Sequence, residues 1–375
     1  MMPMNRQLQQ LQPSGIRRFT GLAKNTPDCA MLTIGEPDLD TPAPIRAAAL
    51  AAMEDHQTHY APNQGLPQLL QAIADYETRR GMPCEKEQVL VTIGASGALY
   101  TALMGVLEPE DEVIIPTPAF PLYESIITAA GAKCVFFDTR PYDFQIDSAA
   151  FAACITAKTK AVILNSPNNP TGVIFTEESL QAVKAAVLGK PIWVLCDNVY
   201  DRLTEQVCPD LTLDPELQEQ TLLCQSFSKP YAMTGWRVGY LAGPAWLIRG
   251  LVPFHAAQVA SVPTFLQHAC VTALQTDVSN IREVFRLRRE YVCRRLRDMG
   301  LAFPEPKGAF YVFPDISQFA DSSEEFCLRL IQEAKVAAVP GSCFGAEGHI
   351  RISCCYSMEE LEKGLDRLER FLKGL

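Results

Sequence analysis

The chain reads as an α/β protein: a large, mostly parallel sheet covered by helices on both faces, joined to a smaller α+β domain. Three observations predict this. Between residues 88 and 243, short apolar runs alternate with helical stretches. Those runs are four to seven residues long, as strands buried on both faces require. After residue 280 the pattern changes to long helices and scattered short strands. With 375 residues, 48% of them apolar, the chain can bury a core for two domains. We place the large domain at 46–270 and the small one at 1–45 with 271–375.

The elements follow in order. QVLVTIG (88–94) reads as a strand and ASGALYTALMGVL (95–107) as a helix. DEVIIPTP (111–118) is a strand, FPLYESIITAAG (120–131) a helix and AKCVFFD (132–138) a strand. KAVILNSP (160–167) is a strand, and TEESLQAVKAAVLGK (176–190) a helix with acids in its first turn. PIWVLCDNVY (191–200), TLLCQSFS (221–228) and RVGYLAG (237–243) are further strand units. In the last third, 280–300 is a basic amphipathic helix whose charge reads as a solvated face. GAFYVFPDI (308–316), AKVAAVPG (334–341) and HIRISC (349–354) read as strands. The final helix, 357–374, opens on a Ser-x-x-Glu capping box. Residues 31–45 are too rich in turn formers to begin the sheet, so the N-terminal segment is expected to pack with the small domain.

Composition excludes several classes of function. A net charge of −10 repels phosphate backbones, so no nucleic-acid partner is expected. No apolar run approaches the roughly 18 residues of a membrane span, and the polar N-terminus lacks a secretory h-region. Thirteen scattered cysteines with no C-x-x-C pair read as reduced thiols in a cytoplasmic protein. The five histidines form no metal-ligand grouping with them, so no metal is expected.

The chemistry lies at the carboxyl ends of the predicted strands, where open parallel sheets bind ligands. After 88–94 come Gly94-Ala95-Ser96-Gly97 at a helix start, a cradle of backbone N–H groups for an anion. After 111–118 comes Phe120, and after 160–167 the run Asn168-Asn169-Pro170-Thr171-Gly172. After the strand of 191–196 come Asp197 and Tyr200; after that of 221–225 come Ser226 and Lys229, with Arg237 following. Singly, each has a structural explanation as turn, core or cap. Together they suit a ligand with a phosphate, a flat ring, a protonated ring nitrogen, a phenolic oxygen and an aldehyde. That ligand is pyridoxal 5′-phosphate: a lysine forms a Schiff base with the aldehyde, and a carboxylate keeps the ring nitrogen charged.

SFSKPYAMTGWRVGY (226–240) and NSPNNPTG (165–172) closely resemble the class I/II aminotransferases of the fold type I pyridoxal-phosphate enzymes. The resemblance runs from about Ile34 to Arg351. It implies that Lys229 is the Schiff-base lysine and Asp197 the partner of the ring nitrogen. It implies that Tyr200 and Asn169 bond the phenolic oxygen and that Phe120 stacks on the ring. Ala95, Ser96, Ser226 and Arg237 match the phosphate contacts. In HYAPNQGLPQLLQAI (59–73), Tyr60 matches a tyrosine that reaches the phosphate of the neighbouring subunit, which implies a homodimer with shared sites. In HIRIS (349–353), Arg351 matches the arginine that clamps the substrate α-carboxylate, a bidentate task suited to its planar fork. Asn169 and Gly35 match substrate-side positions as well. The sequence departs from the family at Asn198, where an acid commonly follows Asp197. SGIRRF (14–19) is similar to a subgroup with varied amino-acid substrates.

The expected activity is transfer of an amino group between an L-amino acid and a 2-oxo acid by ping-pong chemistry. A β-lyase eliminating a sulfur substituent uses the same fold and cofactor, so the shared residues leave it open. A non-catalytic regulatory domain of this fold is disfavoured by the intact lysine and by the lack of a preceding DNA-binding segment.

Overall fold

The computed structural model describes residues 4–375. Twelve α-helices and twelve strands are assigned among them. The N-terminal part holds α1 (Gly15–Lys24), β1 (Ala30–Met31), α2 (Ala43–Glu54) and α3 (Pro67–Arg79). The middle holds β2 (Val89–Thr92), α4 (Gly94–Val106), β3 (Glu112–Thr117), α5 (Leu122–Ala129), β4 (Lys133–Asp138), α6 (Ser148–Ala153) and β5 (Thr159–Asn165). It continues through α7 (Glu177–Val187), β6 (Trp193–Asp197), β7 (Thr221–Ser226), β8 (Gly239–Ala242), α8 (Ala245–Val259) and α9 (Thr264–Ala273). The last third holds α10 (Ser279–Asp298), β9 (Tyr311–Val312), α11 (Ser323–Ala334), β10 (Val336–Ala337), β11 (Val339–Pro340), β12 (Ile350–Ser353) and α12 (Met358–Lys373).

Seven strands form the main sheet in the order β2-β8-β7-β6-β5-β3-β4. All run the same way except β8, which is antiparallel to both neighbours. Successive residues of each strand go to opposite faces, as the pleat dictates. On β5, Ala161 and Ile163 pack under α4, α5 and α8, while Val162 and Leu164 pack under α6 and α7. Covering both faces is why these strands read as unbroken apolar runs. The helices α2 and α8 gave no comparable signal. Both are apolar on most of their surface, so the 3.6-residue period is weak.

The last third departs from expectation in four places. The run 334–341 is two strands, not one: Val336–Ala337 pairs with β1, and Val339–Pro340 with β12. Of 308–316 only Tyr311–Val312 is strand, with one further bridge from Asp315 to His349. Half of the α12 capping box forms. Ser357 Oγ accepts the Glu360 N–H at 3.2 Å, but the Glu360 carboxylate accepts the Met31 N–H at 2.8 Å and so ties β1 to the helix. The basic face of α10 is partly interior. Arg288 forks onto Asp38 at 2.6 and 3.0 Å, and Arg289 donates to the Ala309 carbonyl at 2.9 Å.

Phe19 and Ala23 of α1, with Ala30 and Leu32, share one apolar cluster with α10, α11 and α12. The Arg288–Asp38 pair anchors the following loop, which carries Gly35 to the edge of the main sheet.

Gly239 sets the approach of α4 to the sheet. A Cβ there would lie 2.6 Å from both the Gln225 carbonyl oxygen and the Gly94 carbonyl carbon, and 2.8 Å from the Ala95 nitrogen. All three are backbone atoms, so no side-chain rotation relieves the clash. Gly239→Ala is expected to cost about 1–3 kcal/mol, as for other over-packed cores. The measurement is the thermal midpoint of the purified protein; an unchanged midpoint would show that β8 and the α4 start separate freely.

Candidate active site

The carboxyl ends of β2, β3, β5, β6 and β7 lie on one edge of the sheet. Because β8 runs the other way, its first residues, and Arg237 just before them, lie at that edge too. A cavity of about 320 Å³ opens there. Its walls include Gly35, Ala95, Ser96, Phe120, Asn169, Asp197, Tyr200, Ser226, Lys229, Arg237 and Arg351. Of the residues to which the family resemblance assigns a site role, Tyr60 alone is not among its walls. It stands 89% exposed between α2 and α3.

One wall is built to receive an anion. Gly94 takes a left-handed φ of 62° where the chain turns from β2 into α4, a thirteen-residue helix whose first N–H groups are uncompensated. Arg237 also holds a left-handed φ, of 55°, and donates from Nη1 to the Thr234 carbonyl at 3.0 Å. Its Nη2 lies where a Cβ on Gly94 would approach to 2.7 Å, so the guanidinium rests against the helix start. Ser226 Oγ accepts the Ser228 N–H at 3.0 Å. The Ser228 hydroxyl is buried and has no partner among the described residues.

Deeper in, Asp197 is buried at the end of β6. Tyr123 Oη donates to its Oδ2 at 2.6 Å, while Oδ1 has no partner among the described residues. Burial pushes the Asp197 carboxyl up to about 6, against the opposing effects of Tyr123, the Val199 N–H and Lys229. Phe120 stands edge-on to Tyr123, with ring centres 5.9 Å apart. Tyr200 Oη lies 3.2 Å from Tyr311 Oη, and burial pushes its phenol well above the usual range.

Lys229 Nζ donates to the Gly35 carbonyl at 2.6 Å. Burial lowers its ammonium pKa, with Arg237 and Arg351 adding to the effect. Gly35 admits no side chain: a Cβ would fall 1.7 Å from Tyr311 Oη. Arg351, on β12, is only 2% exposed. Nη1 donates to Asn169 Oδ1 at 2.8 Å and Nη2 to the Thr33 carbonyl, while Nε has no partner among the described residues. The guanidinium lies over the Tyr311 ring at 4.4 Å and near Phe344 at 4.9 Å. A buried cation therefore faces the cavity with amide and carbonyl partners and no carboxylate partner among the described residues.

Sequence reasoning missed several walls. Tyr123, Asn165, Tyr311, Glu36 and Thr234 line the cavity, as do Ser14, Ile16 and Arg17 of the α1 start. Tyr123 lies one turn past Phe120, and nothing in FPLYESI marks its hydroxyl as directed at Asp197. The departure at 198 also gains a reason. Asn198 Nδ2 donates to Asp210 Oδ2 at 2.7 Å, and Asp210 is itself pushed up to about 6 by burial. An acid at 198 would set two carboxylates against each other.

Pyridoxal 5′-phosphate suits this donor set. The groups left unpartnered are a buried carboxylate oxygen, a hydroxyl beside the anion cradle and a guanidinium N–H. They stand with an aromatic plate and a lysine whose ammonium burial destabilises. No group of three or more potential metal ligands occurs among the described residues.

The model of the family described as aminotransferase class I and II matches residues 27–368. A probable N-acetyl-LL-diaminopimelate aminotransferase of Bacillus subtilis is 38% identical, across 98% of this chain and 95% of that one. The aromatic-amino-acid aminotransferase 2 of Thermococcus litoralis is 36% identical across 99% of each. The structure of the aspartate aminotransferase from Thermus thermophilus with maleate superimposes with a TM-score of 0.93 at 34% identity, covering 99% of this chain and 100% of that one. Members of the matched family use pyridoxal phosphate, and its model spans nearly the whole chain, cavity walls included. The chain belongs to the class I and II aminotransferases, as a pyridoxal-phosphate-dependent transaminase.

Proposed function

We propose that the protein moves the amino group of an L-amino acid to a 2-oxo acid, with Lys229, Asp197 and Arg351 as the residues on which turnover depends. The observation that carries this reading is Arg351: a buried guanidinium, without a carboxylate partner, on the same cavity as Lys229. The relatives named above act, by their names, on aspartate, aromatic amino acids and an acylated diamino acid. What those substrates share is the α-amino and α-carboxylate end, and that is the end Arg351 would hold. The same relatives are all named as transferases, which favours transfer over β-elimination.

When bound, pyridoxal phosphate supplies the electron sink for negative charge at the substrate α-carbon. The chain supplies the rest. The α4 start with Ala95 and Ser96, together with Ser226 and Arg237, binds the phosphate. Asp197 Oδ1 would accept the ring nitrogen's N–H and so keep the ring charged, Tyr200 and Asn169 would face the phenolic oxygen, and Phe120 would cover the ring. Gly35 leaves room for the α-carboxylate that Arg351 clamps. Lys229, its ammonium destabilised by burial, carries the proton taken from the α-carbon.

The reading divides the chain into a large domain, 46–270, and a small one, 1–45 with 271–375. The apolar cluster shared by α1, β1 and α10–α12 supports the division. It also makes the protein a homodimer in which Tyr60 of the partner subunit completes the phosphate site; the exposure of Tyr60 supports this. A cytoplasmic location fits the thirteen free thiols. No helix among the described residues is long and apolar enough to cross a membrane.

Three outcomes are expected. An amino acid alone should convert the bound cofactor to its pyridoxamine form, reversed by a 2-oxo acid, as read from the absorption spectrum; release of pyruvate and ammonia instead would mark a lyase. Lys229→Ala should abolish this conversion. Mixed with Tyr60→Ala subunits it should raise activity above that of Tyr60→Ala alone, because one complete site forms per mixed dimer.

Arg351→Ala should raise KM for amino acids about thirtyfold or more, from the roughly 2–5 kcal/mol of a truncated charged clamp. Arg351→Lys should recover only part. The comparison pairs a carboxylate substrate with the matched amine lacking the carboxylate. Equal discrimination by mutant and wild type would sink the assignment.

Asp197 gives the pH dependence. Its folded carboxyl ionises near 6, so the anion that pairs with a ring N–H is present above that pH and lost below it. A phosphate monoester also ionises near 6, so the useful quantity is a ratio. The cofactor dissociation constant of Asp197→Asn divided by that of wild type should be large at pH 8 and should start to fall as pH drops below about 6. A pH-independent ratio would remove Asp197 from the role.

A further inference from the structure

We infer that Arg202 is a positioning residue that fixes Tyr200 and Lys229 relative to each other from behind the cavity wall. The inference rests on the cofactor contacts of Tyr200 and Lys229 proposed above. Arg202 lies two residues past Tyr200, with its side chain 7% exposed. Its fork reaches two phenols on other segments. Nη1 donates to Tyr231 Oη at 2.9 Å and Nη2 to Tyr240 Oη at 3.1 Å. Glu77 of α3 balances the charge, with Oε1 at 3.6 Å from Nη2, and accepts the Tyr240 hydroxyl as well. The guanidinium rests on the Tyr76 ring at 4.0 Å. None of Arg202, Glu77, Tyr231 and Tyr240 lines the cavity, so Arg202 acts only through its neighbours.

The two phenols bracket the segment that needs holding. Between Tyr231 and Tyr240 the chain takes left-handed backbone at Ala232, with φ of 50°, and at Arg237, with φ of 55°. Non-glycine residues keep such backbone only where their surroundings over-determine it. Tyr231 lies two residues after Lys229, and its ring stacks on Phe227 at 5.8 Å and 29°. The Arg202 fork therefore clasps both ends of the stretch that follows the lysine and ties them to the segment carrying Tyr200. A lysine at 202 would keep the charge and lose the fork. A second link runs beside the first: Gln225 donates to Asp201 at 2.9 Å and accepts the Ser226 N–H at 3.0 Å.

Arg202→Lys, Tyr231→Phe and the double variant test this. The measurements are kcat and KM of the holoenzyme, the pyridoxal phosphate dissociation constant of the apoprotein and the thermal midpoint. Each single variant should lower kcat and weaken cofactor binding by about two- to tenfold, the effect of one hydrogen bond. KM for the amino acid should stay within about twofold of wild type, because Arg351 and Asn169 stand on other elements. The double variant should lose little more than either single one, because both break the same link. A lower thermal midpoint with wild-type kcat and cofactor affinity would overturn the inference and leave Arg202 as core support. Effects that multiply in the double variant would overturn it too, since Arg202 would not act through Tyr231. Should Arg202→Lys fail to fold, Tyr231→Phe combined with Tyr240→Phe removes both phenols from the fork, and wild-type constants there would overturn it. Lys229→Ala separates this from the reading beneath it. Wild-type cofactor affinity and absorption in Lys229→Ala would remove the lysine from the cofactor. Their loss there, with Arg202→Lys unchanged, would remove Arg202 alone.

Discussion

The structure turns on the buried guanidinium of Arg351. It joins three parts of the chain distant in sequence: β12, where it sits; Asn169 after β5, at 2.8 Å; and the Thr33 carbonyl after β1. A buried cation is costly unless its N–H groups are satisfied, and truncating a partner leaves the remainder unpaired. Arg351 therefore fixes the N-terminal loop and the small sheets against the main sheet's ligand edge. Stacking on Tyr311 holds the plane of the fork. The Lys229–Gly35 bond is a second tie across the same gap. The cavity exists between these ties, so the contacts that close the fold also shape the site.

Burial then sets the chemistry. It raises the Asp197 carboxyl and lowers the Lys229 ammonium, so both groups are moved toward neutrality by one cause. Surrounding donors moderate this unequally. Asp197 keeps Tyr123 and the Val199 N–H, which favour its anion. Among the described residues Lys229 hydrogen-bonds only a carbonyl; Cys355 and Glu36 favour its charge and two arginines oppose it, and burial outweighs them. A carboxylate held toward its charged form and an amine released toward its neutral one are the two states that cofactor electronics and proton transfer require.

A polar network supports this edge from beneath. Arg202 lies over the Tyr76 ring at 4.0 Å and donates to the Tyr231 and Tyr240 hydroxyls at 2.9 and 3.1 Å. Arg80 bonds Glu77 and Asp201, and Gln225 donates to Asp201 at 2.9 Å. The network anchors the residues just after Tyr200 to α3 and to β7. Its members are charged residues in or beside an apolar run, where propensity alone gives them no role. Most of its polar atoms are paired, which makes such burial tolerable, although Arg202 Nε has no partner among the described residues.

Period and motif are local properties, and they were legible. The apolar runs of β2 to β7 and the helices between them follow from strands buried on two faces, and the polar residues at their ends converge on one cavity because parallel strands end on one side. Direction and partner are not local. Nothing in RVGYLAG distinguishes a parallel from an antiparallel strand, yet only the reversal of β8 brings Arg237 to the site. AKVAAVPG reads as one strand, yet its halves join different sheets because their partners lie some 300 and 10 residues away in the chain. Tyr123 lies in a stretch that reads only as a helix, and its hydroxyl has meaning only beside a carboxylate 74 positions on. The sequence by itself determined which side chains stand at strand ends. Tertiary structure alone decided which polar atoms are satisfied and which remain free, because a hydrogen-bond partner is chosen by distance in space.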